Sequence, residues 1–244
     1  MRIELLGSGG YHPNERRHTL CVLLPEQGLM LDAGSGAFRA HGRVTTPHLD
    51  VVLTHAHLDH IVGLPSLLDL RHRGEPVTIR LHATPEVGQA VRESLFAKRL
   101  FPLMTVHEFH ELPASAAEVG DTVLTTFPLD HPGGSLGVRV EWGGRSIALV
   151  TDTRPLTPET IDEIHGVDLL LHEAYFDDDQ VDMARLTGHC TARHAANAAK
   201  QAGARRLVMI HRDPRATDDA KPLAEAREVY PTAEYGEDLQ AYEV

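Results

Sequence analysis

This sequence is short of cysteine, of basic charge and of long apolar runs, and each shortage excludes a class of protein. Only Cys21 and Cys190 are present, too few for a disulfide framework. A chain of 244 residues can bury a core without such staples, and scarce cysteine fits a reducing compartment, so a cytoplasmic location is expected. No apolar run approaches the roughly 18 residues of a membrane span, so no membrane role is expected. The opening Arg2-Ile3-Glu4-Leu5-Leu6-Gly7 reads as a strand, not as a signal core. The formal charge of −12 disfavours a protein that coats nucleic acid without specificity. Bound divalent cations would still concentrate positive charge where a phosphate could sit.

What is there is ordinary globular material, 42% apolar and 24% charged. Alternating and apolar runs predict strands near 2–6, 20–24, 29–32, 50–54, 77–82, 104–109, 122–128, 136–141, 145–150, 167–171 and 206–210. Helical patterns fall at about 63–72, 85–99, 157–164, 191–202 and 219–229. Gly143-Gly144 marks a hairpin turn, Thr191 a helix N-cap and Gly203 a helix stop. No linker or low-complexity tract divides the chain. It reads as one α/β domain, 1–244, built of two halves that each place strands before helices.

One segment departs from ordinary composition. His55-Ala56-His57-Leu58-Asp59-His60 sets three imidazoles and a carboxylate within six residues, directly after a strand-like run. Imidazole nitrogen and carboxylate oxygen are the ligands that zinc, manganese and iron(II) prefer. In an extended chain His55 and His57 would share one side, and a tight turn would then aim Asp59 and His60 at a second metal. Further donors stand at the ends of other predicted strands: His131, Asp152, His211 and the pair His172-Glu173. A carboxylate such as Asp152, closing the apolar run Ser146–Val150, is costly unless it meets a metal or a partner. The remaining histidines (12, 41, 48, 72, 82, 107, 110, 165 and 194) have no distinguishing spacing.

Taken in order, His55-x-His57-x-Asp59-His60, His131, Asp152 and His211 resemble the metallo-β-lactamase superfamily. That resemblance implies a four-layer αββα sandwich with two metals at one edge of its sheets. It implies that His55, His57 and His131 hold one metal, that Asp59, His60 and His211 hold the other, and that Asp152 bridges them. Asp59 also counts among the catalytic residues. Asp32, in Leu31-Asp32-Ala33-Gly34, would either orient a histidine ligand or serve as a turn residue. The chain is most similar to the branch of ribonuclease Z and related phosphodiesterases. Gly63-Leu64-Pro65-Ser66, Thr151-Asp152-Thr153-Arg154, His172-Glu173-Ala174-Tyr175-Phe176 and His189-Cys190-Thr191 carry that likeness. By it, Glu173 would orient His189, and His189 would protonate the leaving oxygen.

Two departures stand out. Ribonuclease Z inserts a long tRNA-gripping arm between the third metal histidine and the bridging aspartate, whereas about twenty residues, read as a hairpin, separate His131 from Asp152 here. Cys190 replaces the usual serine. The expectation is therefore a hydrolase with two divalent metals, zinc foremost with manganese or iron admissible, that uses a metal-bridging hydroxide on small or nucleotide phosphodiesters. The alternatives are a tRNA 3′-processing endonuclease and a lactone or thioester hydrolase, with a non-catalytic metal-binding module behind them. Full-length tRNA is disfavoured as a partner, and a homodimer is left open. Arg17, His18, Arg154 and the helix start at Thr191 are candidate phosphate contacts, with solvated surface charge the plainer reading of the three side chains.

Overall fold

The structure, a computed structural model, describes residues 1–71, 77–112 and 116–244. His72, the last residue of the predicted helix 63–72, lies outside the described residues. The chain forms two compact units, one comprising Met1–Pro113, Ala117–Thr122 and Glu237–Glu243, the other chiefly Val123–Gly236.

The first unit carries a mixed sheet built from β1 (Arg2–Gly7), β2 (Cys21–Leu24), β3 (Leu29–Leu31), β4 (His48–Val52), β5 (Thr78–Ala83), β6 (Glu108–Glu111) and β14 (Ala241–Glu243), in the order β14-β1-β2-β3-β4-β5-β6. β1, β2 and β3 form an antiparallel meander, and β3 to β6 run parallel. One face buries Leu49, Val51, Ile79 and Leu81 against Ala37 and Ala40 of a 3₁₀ turn (Ser35–Ala40), Leu64 and Leu67 of a second (Leu64–Arg71), and Val87 of α2 (Pro85–Ala90). Register gathers three of the scattered histidines on the other face. His48 and His82 lie beside the buried Asp50, which also pairs with Arg80, and His82 stacks on His110 at 5.0 Å.

The second unit repeats this plan. β8 (Thr122–Leu129), β9 (Ser135–Trp142) and β10 (Arg145–Val150) form a meander, after which β10, β11 (Leu169–Glu173), β12 (Leu207–Ile210) and β13 (Glu234–Tyr235) run parallel. The short strand β7 (Ala117–Val119) precedes them in sequence. α5 (Ala192–Ala202) presents Ala192, Ala195, Ala196, Ala199 and Ala202 to a core that includes Leu170, Leu207 and Met209. Alanine suits that place because a methyl group lets a helix approach a sheet closely. Thr191 accepts the His194 backbone N–H as N-cap, and Gly203 closes the helix at φ 65°. α3 (Pro158–Glu163) and α6 (Ala220–Arg227) add Ile161 and Ala226 to that core. Each unit thus supplies one sheet-and-helix half of the expected αββα plan.

Several boundaries move from their sequence-based positions. The predicted strand 50–54 ends at Val52, because the Thr54 N–H turns to the Asp32 carboxylate instead of a neighbouring strand. The predicted strand 104–109 shifts to Glu108–Glu111, and buried Thr105 ahead of it turns its hydroxyl to the Leu64 carbonyl. The helix expected over 63–72 forms as a 3₁₀ segment, Leu64–Arg71, and a separate short helix, α1 (Leu58–Ile61), precedes Gly63. The helix expected over 85–99 passes at Val91 into a π-turn that ends at Leu95. α4 (Val181–Thr187), β7, β13 and β14 were not anticipated.

Candidate metal centre

In the first unit the donors leave a loop, not a strand. His57 is the N-cap of α1, and Asp59 and His60 lie on that short helix. The rings of His57 and His60 nevertheless flank His55, at 4.6 Å and 4.2 Å. Asp32 organises them. Its Oδ2 lies 2.8 Å from His60 Nδ1, and it accepts both the backbone N–H and the hydroxyl of Thr54. A carboxylate can only accept, so the Thr54 hydroxyl hydrogen is committed to Asp32, and the Thr54 oxygen, 3.0 Å from His55 Nδ1, accepts from that ring. Both imidazoles are thereby fixed with Nδ1 protonated and Nε2 left as the ligating atom. Asp32 is an orienting residue and also a turn residue, with φ at 55°.

Asp59 is held from two sides. Its Oδ2 accepts the Tyr11 backbone N–H at 2.7 Å, and its carbonyl accepts the Thr19 hydroxyl at 2.7 Å. Gly63 allows the turn after Asp32 to close on α1. A Cβ there would lie 2.0 Å from the Gly34 carbonyl oxygen, so only glycine fits.

In the second unit Asp152 and His211 leave the ends of β10 and β12 at φ 50° and 56°, the strained left-handed region. Asp152 Oδ1 lies 3.2 Å from His211 Nε2, and its Oδ2 lies 3.6 Å from His131 Nε2. One carboxylate thus spans two imidazoles. His131 donates from Nδ1 to the Gly188 carbonyl at 2.9 Å, which again leaves Nε2 to ligate. Gly188 stands at φ 84° against Pro132, where a Cβ would clash at 2.3 Å.

Glu173 is fully buried and accepts His189 Nδ1 at 3.2 Å, with the backbone N–H groups of Thr153 and Cys190 at 2.6 Å and 3.0 Å. The His189 ring stacks on Tyr175 at 4.7 Å and lies within reach of His211 and Asp152. His172 is not brought to this cluster as a donor. Its Nδ1 donates to the Glu173 carbonyl, its Nε2 has no hydrogen-bond partner among the described residues, and burial pushes its pKa down. Cys190 donates its thiol to the Thr153 carbonyl, and burial, aided by nearby Glu173, pushes that thiol well above its ordinary value.

The candidate phosphate contacts are largely committed elsewhere. Arg17 pairs with Glu237, Arg154 with Asp130, and His18 with the Ser35 hydroxyl. The Thr191 hydroxyl donates to Asp178, so that helix start already faces a carboxylate. Sequence reasoning missed the Tyr11 N–H and the Gly188 carbonyl, because backbone donors and acceptors carry no residue-type signal.

Residues 29–212 match the model of the β-lactamase superfamily domain. The chain is 32% identical to a ribonuclease Z of Salinibacter ruber over an alignment of 307 positions covering 100% of this chain and 95% of the relative. Among solved structures it is similar to a metallo-β-lactamase fold protein of Bacillus subtilis, with TM-score 0.84, 21% identity and 99% of each chain covered. It is likewise similar to human short-form tRNase Z, with TM-score 0.79, 23% identity, and 100% of this chain and 99% of the other covered. Fold and donor clusters together define a metal-dependent hydrolase. The chain belongs to the metallo-β-lactamase superfamily, and within it resembles the ribonuclease Z and phosphodiesterase branch.

Proposed function

We propose that this chain is a binuclear metal-dependent phosphodiesterase that cleaves RNA in the manner of its ribonuclease Z relatives. The observation that carries this reading is the Glu173–His189 pair, a proton donor placed beside candidate ligands Asp152 and His211. The curated relatives favour RNA cleavage over the small-substrate reading reached from sequence.

The donor set suits hard or borderline divalent ions, being imidazole nitrogen and carboxylate oxygen without thiolate. His55, His57 and His131 would hold one ion, Asp59, His60 and His211 the other, and Asp152 both. When bound, such a pair lowers the pKa of water and neutralises charge on phosphoryl oxygens. The chain's own residues do the rest. Asp32 keeps the Nε2 atoms of His55 and His60 outward, and the Gly188 carbonyl does the same for His131. Glu173 fixes Nδ1 of His189, so that Nε2 delivers the proton to the leaving oxygen.

One observation favours the smaller substrates. β9 and β10 join through Gly143 and Gly144, at φ 57° and 76°, as a tight hairpin where the resembled branch carries its arm. The alignment of 307 positions against 244 residues also means that the relative has segments this chain lacks. The test is direct competition on zinc- or manganese-loaded protein. Accurate 3′ cleavage of pre-tRNA supports the RNA reading. Turnover of bis(p-nitrophenyl) phosphate with pre-tRNA left intact supports the smaller substrates. Turnover of lactones or thioesters alone overturns both.

A further inference from the structure

Among the described residues, five other than glycine hold a positive φ: Tyr11, Asp32, Asp152, His211 and Leu239. That backbone is strained for any bulky side chain. Asp32, Asp152 and His211 are the residues that orient or supply donors above. Three of the five strained positions therefore fall in the candidate site. Leu239 has a local reason, since its N–H closes onto the Leu5 carbonyl at 2.6 Å. Tyr11, at φ 59°, has no packing reason, because its side chain is 65% exposed. Gly9 and Gly10 come just before it, so the chain places glycines in this loop and yet gives the left-handed position to tyrosine.

The loop around Tyr11 is preorganised. Asp238 accepts the Ser8 N–H, the Ser8 hydroxyl and the His18 N–H at 2.9, 2.8 and 2.8 Å, and Arg16 and Arg17 pair with Glu237. The Tyr11 N–H then meets Asp59 Oδ2, which fixes the ring's starting point beside a candidate ligand. Among the described residues its only ring partner is His12, at 4.9 Å and a steep 61°. Phe38, the other exposed aromatic of this unit, is already met by His18 at 5.1 Å and by Arg39 at 5.4 Å. Leu58, one residue before Asp59, is 64% exposed.

We propose that Tyr11 is the base-stacking residue of this site. Its ring receives the planar base of a nucleotide whose phosphodiester lies at Asp59 and its neighbours. An aromatic ring accepts any base face, and a rigid loop holds the ring at low entropic cost. The proposal rests on the phosphodiesterase reading and narrows it to substrates that carry a nucleobase.

Calorimetric titration of metal-loaded protein with adenosine 5′-monophosphate and with ribose 5-phosphate tests it. Wild-type protein should prefer the nucleotide. Tyr11→Ala should weaken nucleotide binding about 10-fold or more and leave ribose 5-phosphate unchanged, whereas Tyr11→Phe should keep the preference. Tyr11→Gly should raise the urea midpoint by relieving the backbone and still lose the preference, which separates ligand binding from folding. Equal loss for both ligands, or no loss, overturns the proposal. So does a change in sedimentation without a change in affinity, which would make Tyr11 a contact with a second copy. Base preference intact in a protein that cleaves no phosphodiester would overturn the functional reading and leave the role of Tyr11 standing.

Discussion

Asp32 Oδ2 and His60 Nδ1 lie 2.8 Å apart, and both residues are fully buried. A carboxylate on the far nitrogen fixes the tautomer of a ligating imidazole and raises its basicity. Asp32→Ala should weaken metal binding about 10–100-fold, read by competition with a chromogenic chelator. Asp32→Asn should lose less, because asparagine still accepts a hydrogen bond and tolerates the left-handed backbone. Unchanged affinity in Asp32→Ala would show that Asp32 serves the turn alone.

Protein purified without chelator should contain up to two metal equivalents per chain. The double variant His57→Ala/Asp59→Ala should lose metal and activity together, and Asp152→Ala should impair both ions. Full metal content in the double variant would remove these residues from the centre.

His189→Ala should lower turnover about 10²–10⁴-fold while metal content stays constant. The loss should shrink with p-nitrophenolate, which leaves without protonation. His189 lies close enough to Asp152 and His211 to act as a ligand itself. Loss of metal from this variant would assign it that role.

Gly63→Ala should destabilise the fold by about 2–4 kcal/mol in urea unfolding, because the added methyl meets backbone, which cannot swing aside as a side chain can. A loss below about 0.5 kcal/mol would mean that the turn after Asp32 can move away from α1.

Burial holds the folded-state pKa of His172 below its ordinary value of 6.5. The unfolded chain therefore takes up this proton first, and stability falls as pH drops below about 6.5. Above that pH the contribution is complete. In metal-free protein, His172→Phe should flatten the change in unfolding free energy between about pH 7.5 and pH 5.5. His194, whose pKa burial also lowers, keeps some slope in place. An unaltered slope would mean that other groups govern acid lability.

The donor residues were legible in the sequence because ligand chemistry is a matter of residue type: six consecutive positions from His55 to His60, and polar residues closing apolar runs at Asp152 and His211. Their convergence was only partly legible. His55 and His57 were expected to align along a strand, yet they meet because Asp32 captures the Thr54 N–H and ends β4 two residues early. Asp32 and Asp152 both follow the third strand of a meander with φ near 50°, and one orients while the other spans two imidazoles. Position in the fold does not distinguish those duties. The short strands β13 and β14 and the seven-residue helix α4 are not legible in the sequence, because their patterns are too brief for periodicity to register.

β14 pairs with β1, setting Glu243 opposite Arg2, and the Asp238 clamp on the Tyr11 loop belongs to the same segment. Of all the strands described, this one leaves the ribosome last. The half of the molecule that carries His55 to His60 therefore cannot be finished until residues 238–243 have been made. Its first strand must wait, with one edge open, for residues made more than two hundred codons later. A chain truncated before Asp238 would keep every candidate metal donor and lack the strap that secures the loop beside Asp59.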